Sequence, residues 1–284
     1  MQKIHKKARA YWPMIKSLQT GLLLATGLAG YMSVRCPVFN LGTVAGLFVS
    51  LFLAISGSTV LNMWWDRDID AKMVRTRKRP LATGAVSPDE ALRLGLALAV
   101  LGVGMALVID WLYGLVVFAG LFFDVVVYSM WLKRRTAWGI LWGGISGGMP
   151  ILAGRVLGYG GFDWVGITLA LGVLFWIPTH IMTFSMRYFD DYRAAGIPTF
   201  PSTYGFQTTR VAIAVSSILA ALAMGAAAWG IGMTIGCLRL LIVLSVGLLA
   251  LAASSVLRPT ERVNFGLFKY ASLYMLSSMI LMMI

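Results

Sequence analysis

The feature that most constrains this chain is a series of nine long apolar stretches, each close to the length of a membrane-spanning helix. A bilayer core needs about 20 consecutive apolar residues per helix. Hydrophobic residues make up 59% of the chain and charged residues only 12%, which excludes an ordinary water-soluble domain. The sequence predicts an all-α, polytopic membrane protein that forms a single domain over 1–284. The predicted spans lie at 14–33, 41–63, 91–111, 113–132, 137–158, 164–186, 209–231, 236–257 and 264–284.

The basic residues are distributed unevenly between the two sides that these spans define. The net charge is +13, and of the 24 Lys and Arg residues only Arg35, Arg155 and Arg239 fall on the side of the odd-numbered loops. By the positive-inside rule, the N-terminus and the even-numbered loops are cytoplasmic and the C-terminus lies outside the cell membrane. The positive charge is therefore a topology signal, and no nucleic-acid partner is expected.

An acidic motif lies at the cytoplasmic end of the second span. Asn62, Asp66 and Asp70 are spaced four residues apart, so on a helix their side chains lie along one face. Oxygen ligands of this kind suit Mg²⁺, which usually binds through one or two carboxylates and the phosphates of a substrate. The motif predicts a magnesium site at the membrane rim.

A second acidic pair, Asp190 and Asp191, follows the sixth span and so falls on the same side of the membrane. Basic residues are dense in these even-numbered loops. Carboxylates interleaved with Lys and Arg suit a bound metal ion and a diphosphate, with the carboxylates on the metal and the cations on phosphate oxygens. The basic cluster comprises Lys72, Arg75, Arg77, Lys78, Arg79, Lys133, Arg134 and Arg135.

The location of this site implies an amphipathic substrate whose phosphate end lies at the rim and whose tail enters between the helices. A prenyl diphosphate fits both requirements, with a lipophilic acceptor and membrane lipid as the other partners. Mg²⁺ and the basic side chains would promote departure of the diphosphate and leave an allylic cation. The alternative from a different class is an ion or small-molecule transporter, which would place polar groups deep in several helices.

Three further residues carry separate expectations. Asp68 lies off the face of the acidic motif, and we expect it to pair with Arg67 or Lys72, the alternative being a third carboxylate of the phosphate site. Asp124 lies within the fourth span, and we expect it to face a cavity because a charge in contact with lipid is costly. His180 lies within the sixth span, where it is either a buried structural histidine or a contact of the acceptor.

Five segments carry further motifs in order along the chain: NMWWDRDIDAKMVRTRKRPLATGAVS (62–87), YSMWLKRRT (128–136), GGISGGMPILAG (143–154), WIPTH (176–180) and FDDYRAAGIP (189–198). These segments resemble motifs of the UbiA superfamily of intramembrane prenyltransferases, and most closely those of its protoheme IX farnesyltransferase (haem O synthase) branch. The resemblance covers roughly residues 60–205. It implies nine transmembrane helices around a central cavity and Mg²⁺-dependent prenyl transfer to a lipophilic acceptor.

The resemblance also implies roles at matching positions. Asn62, Asp66 and Asp70 would serve one Mg²⁺, and Asp190 and Asp191 would serve a second. The acidic residues of both motifs would therefore be the catalytic set.

The diphosphate would be held by Lys72, Arg75, Lys133 and Arg134, and Tyr128 would lie near the reacting end of the prenyl chain. The acceptor remains open among protohaem IX, a lipid glycerol phosphate and an aromatic quinone precursor.

Overall fold

The computed structural model describes residues 11–34 and 40–284, and within these ranges it is helical and contains no β-strand. This confirms the predicted all-α architecture. One long helix changes type along its length: Trp111–Phe122 is α-helical and Phe123–Leu132 is a π-helix. The long helices are α1 (Ser17–Met32), α2 (Leu41–Trp65), α3 (Pro88–Ile109), α4 (Trp111–Leu132), α5 (Gly139–Tyr159), α6 (Trp164–Arg187), α7 (Phe200–Ile231), α8 (Ile235–Leu257) and α9 (Glu261–Met282).

Within the described ranges, the eight helices α2–α9 are long and apolar enough to cross a membrane. Helix α1 has 16 residues and follows a 3₁₀ turn at Trp12–Ile15. The two segments occupy the first predicted span, 14–33, but they are separated at Lys16, whose backbone is left-handed with φ of 45°. The first predicted span is thus a turn followed by a helix rather than one continuous helix.

Polar caps explain why several helices begin before the apolar stretch itself. Ser87 caps α3 in a capping box with Glu90, Asp110 accepts a hydrogen bond of 2.7 Å from the Tyr113 amide in α4, and Asp163 caps α6. A side-chain oxygen at this position satisfies an amide that has no partner within the helix. Asp110 and Asp163, two of the few acids on the odd-loop side, are thereby accounted for as helix caps.

Helix α7 differs most from its predicted bounds, because it begins at Phe200 rather than near residue 209. Its first turn bends at Gly205, where φ is 81° and ψ is 166°, values that a residue with a Cβ rarely adopts. The extra turn is continuous with the loop that carries Asp190 and Asp191, so the bend brings the start of α7 over that loop.

Helices α1 and α5 approach each other through glycines. A Cβ on Gly154 would overlap the carbonyl oxygen of Gly27, and a Cβ on Gly30 would overlap that of Ile151. Small residues allow such close backbone contact, which is a main source of helix association in lipid. The long-range packing of α1 therefore depends on having no side chain at these positions.

We expect Gly154→Ala to lower the melting temperature of the detergent-purified protein, because the added methyl must push α1 and α5 apart at a cost of about 1–3 kcal/mol. Gly225→Ala in α7 is the matched control, since no atom of the residues that the structure describes lies within 4 Å of a Cβ there. Alanine favours a helix over glycine, so the control should be neutral or slightly stabilising. Equal melting temperatures for the two variants would contradict the close-packing interpretation.

The helices pack into two main apolar clusters that meet at α5. One draws mostly on α5–α9 and includes Leu169, Met224 and Tyr274, and the other draws on α1–α5 and includes Leu47 and Tyr113. The α2–α3, α4–α5 and α6–α7 loops lie together at one end of the bundle, which we call the basic face. The predicted site residues of these loops are thus collected in one place.

Candidate active site

The acidic motif keeps its helical register beyond the end of α2. The amide of Asp66 donates to the carbonyl of Asn62 at 2.9 Å, and the amide of Asp70 donates to that of Asp66 at 2.8 Å. The short helix Arg67–Asp70 therefore continues the same spacing. Asp66 and Asp70 are only 3% and 5% exposed, so both carboxylates are removed from bulk water.

Asp66 meets the cations of the α4–α5 loop. One carboxylate oxygen, Oδ2, forms a close ion pair with Lys133, and the other, Oδ1, lies 3.9 Å from the Arg134 guanidinium. Oδ1 is buried and has no hydrogen-bond partner among the described residues. Burial is the largest influence on the Lys133 pKa and lowers it, but Asp66 together with Tyr128 and Tyr192 raises the pKa overall. A buried carboxylate with an oxygen left free is a ligand position for a cation.

The π-helical part of α4 presents Tyr128 and Lys133 to this carboxylate. The amide of Lys133 donates to the carbonyl of Tyr128 at 2.8 Å, which is the five-residue bond of a π-helix. The Lys133 ammonium consequently lies 5.8 Å from the centroid of the Tyr128 ring. The wider turn, often found at functional sites, brings both predicted residues to the same place.

Asn62 and Asp124 form a buried polar network between α2 and α4. The Asn62 side-chain amide donates to Asp124 at 2.7 Å, its oxygen accepts from the Ser129 hydroxyl at 2.8 Å, and Ser58 donates to the same oxygen of Asp124. Asp124 thus turns toward α2, and the network holds Asn62 in place behind Asp66.

Asp70 has its own partner, Arg79, whose Nη1 donates to both carboxylate oxygens at 2.7–2.8 Å. The Thr76 hydroxyl donates to the carbonyl of Asp70 at 3.0 Å and steadies the intervening loop. The side chain of Lys16 reaches this region from the start of α1. Burial, together with the nearby charge of Arg79, lowers the pKa of Lys16 from 10.5 to about 8. Lys16, Arg79 and Lys133 thus bring three cations to the two buried carboxylates, Asp66 and Asp70.

The pairing expected for Asp68 is wrong. Its carboxylate binds the Arg134 guanidinium through two hydrogen bonds of 2.7 and 2.8 Å, and these bonds lower the pKa of Asp68. Arg67 instead donates to the carbonyl of Trp64. Only sequence neighbours were considered as partners of Asp68. Packing of α4 beside α2 brings Arg134, which is 66 positions away in the sequence, within hydrogen-bonding distance of it.

The two residues of the second acidic pair, Asp190 and Asp191, differ in their contacts. Asp191 accepts hydrogen bonds from the amides of Val74 and Arg75 at 3.2 and 3.3 Å, so it connects the α6–α7 loop to the α2–α3 loop. Asp190 is exposed and has no hydrogen-bond partner within the described ranges. Apolar contacts reinforce the junction of the two loops. They involve Ile69, Met73, Tyr192, Ala195 and Ile197.

The remaining predicted residues lie at the edges of this centre. Lys72 is exposed and forms no ion pair with another described residue. The Arg75 guanidinium lies over the rings of Phe184 and Tyr188, at 5.1 and 5.8 Å from their centroids. His180 lies within α6, between aromatic side chains rather than beside an acid.

A cavity opens next to Lys133 and Tyr128, between the α4–α5 loop and α6. Its walls are mostly apolar, which suits a hydrocarbon chain, and its polar end adjoins Asp66 through Lys133. The lining includes Tyr128, Lys133, Ile140, Met182, Tyr192 and Phe200.

The basic face thus joins buried carboxylates, the cations paired with them and an apolar cavity. A sequence profile of the UbiA prenyltransferase family matches residues 23–273, which is most of the chain. The chain belongs to the UbiA prenyltransferase family. Family membership confirms the resemblance, and it favours the predicted enzyme over the transporter hypothesis.

Curated relatives within the family agree with this assignment. The protoheme IX farnesyltransferase of Archaeoglobus fulgidus is 45% identical over 209 residues, which cover 73% of this chain and 73% of the relative. That of Cereibacter sphaeroides is 36% identical over 278 residues, covering 93% and 88%. The chain is an integral membrane prenyltransferase, similar to this branch of the family.

Solved structures show the same fold at low sequence identity. A digeranylgeranylglyceryl phosphate synthase superposes with a TM-score of 0.82 at 18% identity, covering 100% of this chain and 98% of the other. A UbiA homologue from Archaeoglobus fulgidus bound to GPP and Mg²⁺ gives 0.70 at 15% identity, covering 97% and 100%. These likenesses support the UbiA-like bundle.

Several residues that form the site were assigned no role from the sequence. Arg79 was only one member of a basic cluster, and nothing in the sequence indicated that it would bind Asp70. Ser58 and Ser129 are ordinary small residues of membrane helices until α2 and α4 are brought together. A role for Lys16 could have been predicted from the sequence, because it is a charged residue at the rim of the first span, on the same side as both acidic motifs.

Proposed function

We propose that this prenyltransferase transfers a farnesyl group from farnesyl diphosphate to protohaem IX, with Mg²⁺, at a basic face directed to the cytoplasm. The observation that carries the proposal is Asp66, a buried carboxylate with one oxygen bound to Lys133 and the other without a hydrogen-bond partner among the described residues. The names of the most similar relatives support the prenyl donor and the acceptor.

The donors available at this site fit Mg²⁺. Asp66 and Asp70 would hold one ion, with Asn62 as a further oxygen donor, and Asp190 and Asp191 would serve a second ion. Bound Mg²⁺ neutralises charge on the diphosphate and so favours its departure. Asn62, Asp70 and Asp191 already have protein partners in the structure, so this assignment depends most on Asp66, through its oxygen Oδ1, and on the exposed carboxylate of Asp190.

The cations of the site would bind the diphosphate. Lys133, Arg79 and Lys16 lie around Asp66 and Asp70, and they are placed to make charge-assisted hydrogen bonds with phosphate oxygens. Arg134 is shared with Asp68, and Lys72 and Arg75 lie toward the outer rim. These residues would orient the donor with its tail directed into the apolar cavity.

The reaction requires the C1–O bond of the donor to break, with its electron pair leaving on the diphosphate. An electron pair of the acceptor then forms the new bond to C1, and the positive charge that this leaves on the acceptor is discharged by loss of a proton or by addition of water. The face of the Tyr128 ring would stabilise the developing allylic cation, since aromatic faces attract positive charge. Burial of Asp66 and Asp70 keeps bulk water from competing for that cation.

The test offers labelled farnesyl diphosphate to purified protein with haem b, a quinone precursor and a glycerol-phosphate lipid side by side. We expect prenylated haem as the main product, and we expect EDTA to abolish its formation and excess Mg²⁺ to restore it. A different prenylated acceptor would refute the haem assignment but retain the enzyme class. Full activity in EDTA would refute the metal assignment.

A further inference from the structure

A continuous row of aromatic side chains lies between α6 and α9. The α6 members are four residues apart, so they lie along one helix face. All are half-buried, in contrast to the fully buried rings of the core. We call this surface the aromatic wall, and its members are Trp176, His180, Phe184 and Tyr188 of α6 with Phe265 and Phe268 of α9.

His180 occupies the middle of the wall with both ring faces covered. Its centroid lies 4.8 Å from that of Trp176 and 4.6 Å from that of Phe268, and the planes are inclined by only 22° and 25°. Its Nδ1 is 3.2 Å from the Ser272 hydroxyl. What remains accessible on this half-buried ring is therefore the edge that carries Nε2.

Two features favour a ligand site over lipid at this edge. An ionisable side chain within a membrane helix almost always faces the protein interior or a cavity. The stack also fixes the ring, since Trp176 is itself anchored by a 2.7 Å hydrogen bond from its indole nitrogen to the carbonyl of Ala271. A nitrogen lone pair held in one orientation is preorganised for a partner.

The wall ends in cations at the basic face. Arg187 lies 4.0 Å above the Phe265 ring, and Arg75 lies over Phe184 and Tyr188. Neither guanidinium forms an ion pair with a described carboxylate, although the Arg75 amide donates to Asp191. A ligand lying along the wall would thus meet two free cations at the end that adjoins the diphosphate site.

We propose that the aromatic wall is the acceptor subsite, and that it binds a planar metallomacrocycle with a carboxylate-bearing edge. His180 Nε2 binds the central metal ion of this substrate. Its stacked neighbours, Trp176 and Phe268, present their edges to the macrocycle face, which is a favoured aromatic geometry. Arg187 binds one carboxylate, and Arg75, which lies where the wall adjoins the diphosphate site, binds the other in place of the outer-rim contact with the diphosphate. The assignment rests on the proposed function, since protohaem IX has this chemistry.

The experiment titrates haem b into the detergent-purified protein and follows the Soret band, alongside binding of farnesyl diphosphate with Mg²⁺. His180→Phe preserves an aromatic ring in the stack and removes the nitrogen. We expect it to abolish the ligand-field shift of the Soret band and to weaken haem affinity at least tenfold, with farnesyl diphosphate affinity unchanged. His5→Ala, which removes the other histidine of the chain, is the matched control and should bind haem as the wild type does.

A second pair of variants tests the stacking contacts. Phe268→Leu should raise the KM for haem severalfold, whereas Phe118→Leu, at an exposed ring of α4, should not change it. A His180→Phe protein with the wild-type Soret band and haem affinity would overturn the subsite, even where the wild type prenylates haem. Loss of the band in His5→Ala instead would also overturn it. Failure of the wild type to prenylate haem, with another acceptor used, would refute the proposed function separately.

Discussion

Asp66→Asn is expected to lower kcat for prenyl transfer by at least about 100-fold, equivalent to ~2.7 kcal/mol of transition-state stabilisation. The amide keeps the shape of the side chain but removes the negative charge that pairs with Lys133 and that a metal ion would need. Steady-state kinetics with farnesyl diphosphate at saturating Mg²⁺ measure the loss. Melting temperature separates it from unfolding.

Asp68→Asn is the matched control, because it makes the same chemical change two residues away. Asp68 is 54% exposed in its side chain, and its pairing with Arg134 lies at the surface of the site. Exposed ion pairs contribute only about 0–1 kcal/mol, so we expect at most a severalfold change in kcat. A larger loss for Asp68→Asn than for Asp66→Asn would show that the helical face carrying Asn62, Asp66 and Asp70 is not the metal-binding face.

Asp163→Asn is expected to cause the largest loss of stability, about 3–5 kcal/mol, since it leaves the buried charge of Arg155 without its counter-ion. Arg155 Nη2 donates to Asp163 at 2.6 Å, and its Nη1 donates to the hydroxyl of Ser33 at 3.0 Å. The two charged side chains are only 7% and 11% exposed. Asparagine still caps α6, so the charge alone is tested. Thermal unfolding in detergent, with activity as a second readout, measures the effect.

The double variant Arg155→Met with Asp163→Asn is the control for this pair. Removing both charges eliminates the unpaired guanidinium, so the double variant should be more stable than Asp163→Asn alone. If both variants melt at the wild-type temperature, the pair has no role in joining the α5–α6 loop to the end of α1.

Local patterns in the sequence predicted much of the acidic motif correctly. The spacing of Asn62, Asp66 and Asp70 predicted one helical face, and backbone hydrogen bonds four residues apart confirm that register. Such bonds depend only on residues within one turn, which is why the spacing is sufficient evidence. The start of α7 was predicted nine residues late, because the turn Phe200–Tyr204 is not part of an apolar run and bends at Gly205.

Pairings between distant residues were not predictable in the same way. Lys133 and Arg134 are adjacent, and either could have reached Asp66 or Asp68. The π-helical turn of α4 decides that Lys133 binds Asp66 while Arg134 binds Asp68. A change from four-residue to five-residue bonds rotates every later side chain, and hydropathy does not reveal it.

Composition and short-range spacing were sufficient to predict the membrane class of the protein, the approximate positions of its helices, the register of the acidic motif and the clustering of basic loops on one predicted side. Each of these is a property of composition or of a period of a few residues. Helix packing was needed to establish which cation contacts which carboxylate, that Asp191 connects two loops, and that His180 lies within an aromatic stack. Those contacts join residues dozens of positions apart, and their geometry depends on how closely the helix backbones approach each other. The spacing of residues along the sequence carries no information on that distance.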